Sequence, residues 1–259
     1  MRLLRFLLPI LFGVAVIAAW EWAVHAFAIS HLVLPAPSDI TAALGENFAS
    51  LMESLWTTLS ITLMAFVAAV VSGVLMAIVF AQSRTVEMTL YPYAVAIQVT
   101  PIFAIAPLIV IWTGYEHVDR ALLILAWVAA FFPVLANTTA GLRSVDPNLI
   151  DLFRLYGASR WQRLVRLSLP SALPHILAGM KISGGLALIG TVVAEFAAGS
   201  GTATGLGWRI LEAGHRLEIP KQFAALILLA VLGIAMFFAL ALVEWACLRR
   251  WHESYLPKE

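Results

Sequence analysis

The chain has 259 residues, of which 62% are hydrophobic and 12% charged, and its net charge is +1. So apolar a composition excludes a water-soluble globular chain, and so small a charge offers no case for a nucleic-acid partner. A single cysteine, Cys247, excludes an internal disulfide and a cysteine-based metal cluster.

At ~20 apolar residues per crossing, the chain accommodates about six membrane helices and their connectors. Little is left for a soluble domain, so one all-α membrane domain over residues 1–259 is expected. Arg2 and Arg5 precede the first apolar stretch, Phe6 to Ile29. It carries Trp20 and Trp22 and lacks a small-x-small cleavage site followed by a polar mature start, so it reads as a retained anchor and not a signal peptide. Glu21 and His25 lie one helical turn apart within it and are expected to pair. Leu34-Pro35-Ala36-Pro37 reads as an extended turn, with Ser38 capping a short interfacial helix through Ile40, Leu44 and Phe48.

The second span is Leu55 to Ala81 and the third is Tyr91 to Trp112. Gln98, Thr100, Pro101 and Pro107 lie in the third and combine polar side chains with carbonyls released from helical bonding. Such irregular backbone is tolerated where it faces a cavity, and a kinked packing helix uses the same residues. The fourth span is Ala121 to Ala140. The fifth, Ile176 to Phe196, contains Gly184, Gly185 and Gly190, which permit close helix approach, and Glu195 near its outer end. Glu195 is expected to line the pathway, pair with a basic group or sit at the outer headgroups. Lys181 is expected to snorkel to the cytoplasm, and Glu244, in the sixth span Phe223 to Cys247, to be interfacial.

Orientation follows from the cations. An inside N-terminus places 12 of the 16 basic residues in the cytoplasm, leaving Arg120, Arg209, Arg216 and Lys221 outside. Both termini are therefore expected in the cytoplasm.

The segment from Asp146 to Pro174 is too long for a tight connector and is dense in helix signals. Asp146-Pro147 sets a capping carboxylate before a first-turn proline, and Gly157 stands where a left-handed C-terminal residue is needed. Ser159-Arg160-Trp161-Gln162 is a capping box opening a second helix, which Pro170 is expected to end. Local physics alone allows a surface hairpin whose Arg160, Arg163 and Arg166 meet anionic lipid.

Within that hairpin stands a longer pattern. Asp151, Leu152 and Phe153 are followed by Gly157-Ala158-Ser159, then by Leu167, Leu169 and Pro170. This pattern resembles the EAA loop of ATP-binding-cassette (ABC) importer permeases, in particular the nitrate, sulfonate and taurine branch. Leu34-Pro35-Ala36-Pro37-Ser38, Gly179-Met180-Lys181-Ile182, Val193-Ala194-Glu195 and Gly205-Leu206-Gly207 follow in that family's order. One departure is the name-giving Glu-Ala-Ala, which here is Asp151-Leu152-Phe153. The resemblance implies a multi-pass inner-membrane subunit that pairs with a second copy. It also implies that residues 146–174 couple to two cytoplasmic ATPase subunits, which bind ATP and magnesium, and that a periplasmic binding protein delivers a small anion or a compound such as a pyrimidine.

No chemistry is expected of the chain itself. The Gly-rich run Gly199 to Gly207 has no phosphate-binding lysine, the six histidines form no metal motif, and no nucleophile elbow occurs. No catalytic residue, metal ligand or cofactor site is assigned. A proton-coupled secondary transporter using Glu21, His25 and Glu195 is the alternative, and it is disfavoured because no inverted repeat is visible.

Overall fold

The computed structural model describes residues 2–197 and 204–249. The Gly-rich positions 199–203, together with Arg250 and Lys258, lie outside them. The described chain is helical, without a strand: α1 Arg2–Ala26, α2 Pro37–Glu46, α3 Phe48–Gln82, α4 Arg84–Val99, α5 Ile102–Thr113, a 3-10 turn at Tyr115–His117, α6 Val118–Arg143, α7 Pro147–Leu155, α8 Arg160–Arg163, a π turn at Leu164–Ser168, α9 Leu169–Ala197, α10 Leu206–His215 and α11 Ile219–Leu248.

Five helical runs are long and apolar enough to cross a bilayer, and a bent pair of helices makes a sixth if it is one span. The expected third span is two helices, α4 and α5, bent by 102°. The break falls where Thr100 adopts an extended conformation before Pro101. The proline ring crowds the residue before it out of the helical region, and the proline lacks the N–H that would continue the ladder. Counting the pair as one crossing gives six, the even number that the cation distribution requires.

Two expectations about helix ends are corrected. Pro170 does not end the second hairpin helix, because a helical run continues from Arg160 to Ala197. The π turn explains this: the Leu169 N–H donates to the Leu164 carbonyl, five residues back, and widens the ladder where the proline ring would otherwise meet a carbonyl. Nor is Ser38 the cap of α2. The helix starts at Pro37, and the Asp39 carboxylate accepts the Ala36 N–H at 3.2 Å. Proline fits the first turn because its missing N–H is not needed there.

The described residues form two compact units. The larger, residues 58–197 with 232–249, is built around α6, whose Leu122, Leu125, Ala126, Ala130, Val134 and Leu135 are fully buried. Helix α9 runs against α6 at backbone-contact range. A Cβ on Gly190 would lie 2.8 Å from the Ala129 Cβ and 3.0 Å from the Ala126 Cα, so only glycine fits. Gly185, by contrast, faces open space. One apolar cluster joins Phe66, Phe80, Phe131, Leu135 and Leu164; another joins Ile61, Ala106, Val110, Leu122 and Leu125. The smaller unit, residues 2–57 with 204–231, has its own core of Ile40, Leu51, Leu206, Ala224 and Ala225. There Glu21 and His25 pair at 2.9 Å as expected, and Glu21 also accepts the Ser38 hydroxyl at 2.8 Å and its N–H at 3.1 Å.

Candidate functional site: the hairpin and the polar groups of the larger unit

The hairpin is set by local chemistry. Asp146 caps α7 by accepting the Asn148 N–H at 2.8 Å. At the other end Gly157 has φ +68°. Its N–H donates to the Arg154 carbonyl and the Ala158 N–H to the Phe153 carbonyl, both at 2.9 Å, which is the paired closure of a Schellman turn. Ser159 then opens α8 reciprocally: its hydroxyl accepts the Gln162 N–H at 3.2 Å, and the Gln162 side chain accepts the Ser159 N–H at 2.8 Å. Leu164 and Leu167 are buried and Leu169 half-buried, with Leu164 and Leu169 against the larger unit's core. These side chains anchor the hairpin.

Its other surface is apolar and uncovered. Leu155 is 85% exposed and Tyr156 84%, with Leu152 and Trp161 also exposed. Asp151 lies at the surface and accepts from Arg154 at 3.0 Å. Phe153 and Ala158 are half-buried and, with Leu152, Tyr156, Gln162 and Arg166, line a cavity of about 300 Å³. Sequence reasoning selected Leu152 and Phe153, set Tyr156 on the same short helix, and passed over Leu155 and Trp161 as contact residues. The signal was present, since Leu149, Leu152 and Leu155 or Tyr156 recur at helical spacing.

Of the four third-span candidates, Thr100, Pro101 and Pro107 do not share one element. Thr100 ends α4, with its hydroxyl donating to the Ala96 carbonyl at 2.7 Å; Pro101 precedes α5, and Pro107 lies within it. Gln98 is half-buried, and its Oε1 has no hydrogen-bond partner among the described residues.

Glu195 is fully buried. It accepts the Thr58 hydroxyl at 2.8 Å, and one turn away the Thr62 hydroxyl donates to Thr191 at 3.0 Å. The carboxylate therefore belongs to a polar ladder between α3 and α9, not to the outer headgroups. Lys181 and Glu244 are joined in a way the sequence did not indicate. They form an ion pair at 2.7 Å across α9 and α11. Both line a groove of about 550 Å³ with Gly185, Ile189 and Phe237. The buried Glu87 was missed altogether. It accepts from Arg84 at 3.5 Å and, more closely, from Arg143, and so ties the start of α4 to the end of α6.

Residues 69–246 match the family described as the binding-protein-dependent transport system inner membrane component. The chain is 32% identical over 252 residues to the putative aliphatic sulfonates transport permease protein SsuC of Bacillus subtilis, covering 95% of this chain and 88% of that one. It is 33% identical over 231 residues to the taurine transport system permease protein TauC of Escherichia coli, covering 86% and 82%. A third relative, the formylaminopyrimidine transport permease protein ThiX of Halalkalibacterium halodurans, is 32% identical over 239 residues, covering 91% and 92%. In fold the chain is similar to the MetNI methionine ABC transporter in an inward-facing conformation. The TM-score is 0.67 at 19% identity, over 77% of this chain and 97% of that one.

Proposed function

Because the chain belongs to the family of binding-protein-dependent transport system inner membrane components, we propose that its hairpin is the element through which a separate ATPase drives solute across the inner membrane. The chain is a multi-pass permease subunit of an ABC importer. Two copies form the pathway, two ATPase subunits dock at residues 146–174, and a periplasmic binding protein delivers the solute. ATP and magnesium belong to the ATPase, and none of the chemistry to this chain. Its family membership sets aside the proton-coupled alternative.

The observation that carries this reading is the hairpin itself: capped at both helix starts, closed by a left-handed glycine, anchored by Leu164 and Leu167, with Leu155 and Tyr156 uncovered. A lever passes on motion only if it does not bend, and each cap removes a way of bending. Large exposed apolar and aromatic side chains are the usual anchors of a protein interface. When the ATPase pair closes on ATP, the two hairpins move together and the pathway opens outward, a shift between existing states driven by differential binding.

The solute is small and organic. The relatives are named for sulfonates, taurine and formylaminopyrimidine, which supports a sulfonate-like anion or a related small heterocycle, with selectivity residing in the binding protein. Docking is tested by placing a cysteine at Leu155 in a Cys247→Ala background and cross-linking it to the ATPase encoded with the permease. A cross-link weakened by nucleotide-driven rearrangement supports the reading, whereas accessibility of this cysteine from outside intact cells overturns it.

A further inference from the structure

A second feature of the hairpin is unrelated to its exposed apolar tip. Where the hairpin joins the larger unit, a pocket of about 270 Å³ is lined by Arg143, Arg154, Arg160 and Arg163, and no acidic side chain lines it. Two of the four have carboxylate partners: Arg143 shares Glu87 with Arg84, and Arg154 bonds Asp151. Arg160 and Arg163 have no ion-pair partner among the described residues. Four arginines thus face one concavity, and carboxylates outside it pair with two of them.

The remaining walls fix its depth. Ala81 and Gln82 close the end of α3, and Leu142 and Arg143 the end of α6. Both helices are apolar membrane-crossing runs, and they end at Gln82 and Arg143. The pocket therefore lies at the ends of two membrane-crossing helices, on the side towards the headgroups and the lipid phosphates. Guanidinium groups present fixed forks of N–H donors that match phosphate oxygens bidentately. A basic recess between membrane helices at that level has the chemistry of an anionic headgroup site. We propose that this pocket holds the phosphate of an anionic phospholipid, and that the lipid secures the base of the hairpin against α3 and α6 while the tip is left to the ATPase. A lipid is favoured over the ATPase as the occupant because Ala81, Gln82, Leu142 and Arg143 wall the pocket at the ends of two membrane-crossing helices, although Arg154 and Arg160 also flank the Gly157 turn.

The test uses the full-length permease in nanodiscs of phosphatidylcholine doped with phosphatidylglycerol, with retained lipid read by native mass spectrometry. Arg163→Gln removes a pocket charge, and Arg166→Gln removes an equal charge from the same hairpin outside the pocket. Beyond the diffuse surface attraction that all three arginines share, a guanidinium in direct contact with the phosphate contributes on the order of a fivefold preference. Arg163→Gln is therefore expected to lower phosphatidylglycerol retention about fivefold, Arg160→Gln with Arg163→Gln about 25-fold, and Arg166→Gln much less. Equal losses for Arg163→Gln and Arg166→Gln would show diffuse surface charge and overturn the site. Displacement of the lipid by millimolar glycerol phosphate would assign the pocket to a soluble phosphate and overturn the lipid. Loss of ATPase co-purification in the double variant with unchanged lipid retention would assign it to the ATPase, also against the proposal. Because the lipid readout needs no ATPase, failure here leaves the docking reading untouched.

Discussion

Thr58 and Glu195, 137 residues apart, meet as hydroxyl and carboxylate at 2.8 Å in a fully buried position. An ionisable group held in the interior of a membrane bundle is costly unless its hydrogen bonds are met. Glu195→Gln preserves shape and removes charge. It is expected to leave membrane abundance intact and to lower uptake, with unchanged uptake showing that the charge serves packing alone. Thr58→Val takes away one donor to the carboxylate and is expected to cost about 1–3 kcal/mol, read by thermal unfolding in detergent.

The Lys181–Glu244 pair joins α9 to α11 within the larger unit. Removing either partner leaves the other charge uncompensated, whereas removing both does not. Lys181→Met and Glu244→Gln are each expected to destabilise more than the double variant. Both groups are partly exposed, which limits the coupling in a double-mutant cycle to about 1–2 kcal/mol. Additive losses would show that the pair contributes no coupling.

Gly190 tests the α6–α9 contact. The Cβ of Gly190→Ala would stand 2.8 Å from the Ala129 Cβ and must separate the helices. Overpacking of this kind costs about 1–3 kcal/mol, so a lower unfolding midpoint is expected, while Gly185→Ala, which faces open space, is expected to leave it unchanged.

In the smaller unit, the Glu212 carboxyl is held below its usual value of 4.5, first by the hydrogen bond from Arg209 and then, against a counteracting effect of burial, by the charges of Arg209, Arg216 and Lys221. A carboxyl depressed in the folded state contributes stability that is complete above 4.5 and fades as the pH falls through its folded value. Wild type is therefore expected to exceed Glu212→Gln in unfolding midpoint near neutral pH, and the gap to narrow as the pH drops below 4.5. A gap independent of pH would contradict this origin.

What could be read from the residues was local. Apolar runs located the crossings, Asp146 and Ser159 their helix starts, and Gly157 its left-handed turn, because each signal is complete within a few residues. The prolines were read unevenly. Pro101 breaks its span where irregular backbone was expected, but Pro170 does not end its helix, since a π turn beside it supplies room that no pattern in the sequence announces. The pairings of Glu87 with Arg143, Lys181 with Glu244 and Thr58 with Glu195 join positions 56, 63 and 137 residues apart. They depend on the rotation of one packed helix against another, which composition and periodicity leave open.

The hairpin proposed to transmit the work of the ATPase turns at Gly157. At φ +68° a β-branched residue is strained by roughly 1–2 kcal/mol, while a Cβ there meets no neighbouring atom within 4 Å, so backbone conformation is what is at stake. Asparagine tolerates that backbone far better than valine. The measurement is ATPase co-purification and solute uptake for Gly157→Val against Gly157→Asn at equal membrane abundance. Gly157→Val is expected to lose both and Gly157→Asn to retain most of each; full co-purification and uptake in Gly157→Val would contradict transmission through a rigid turn.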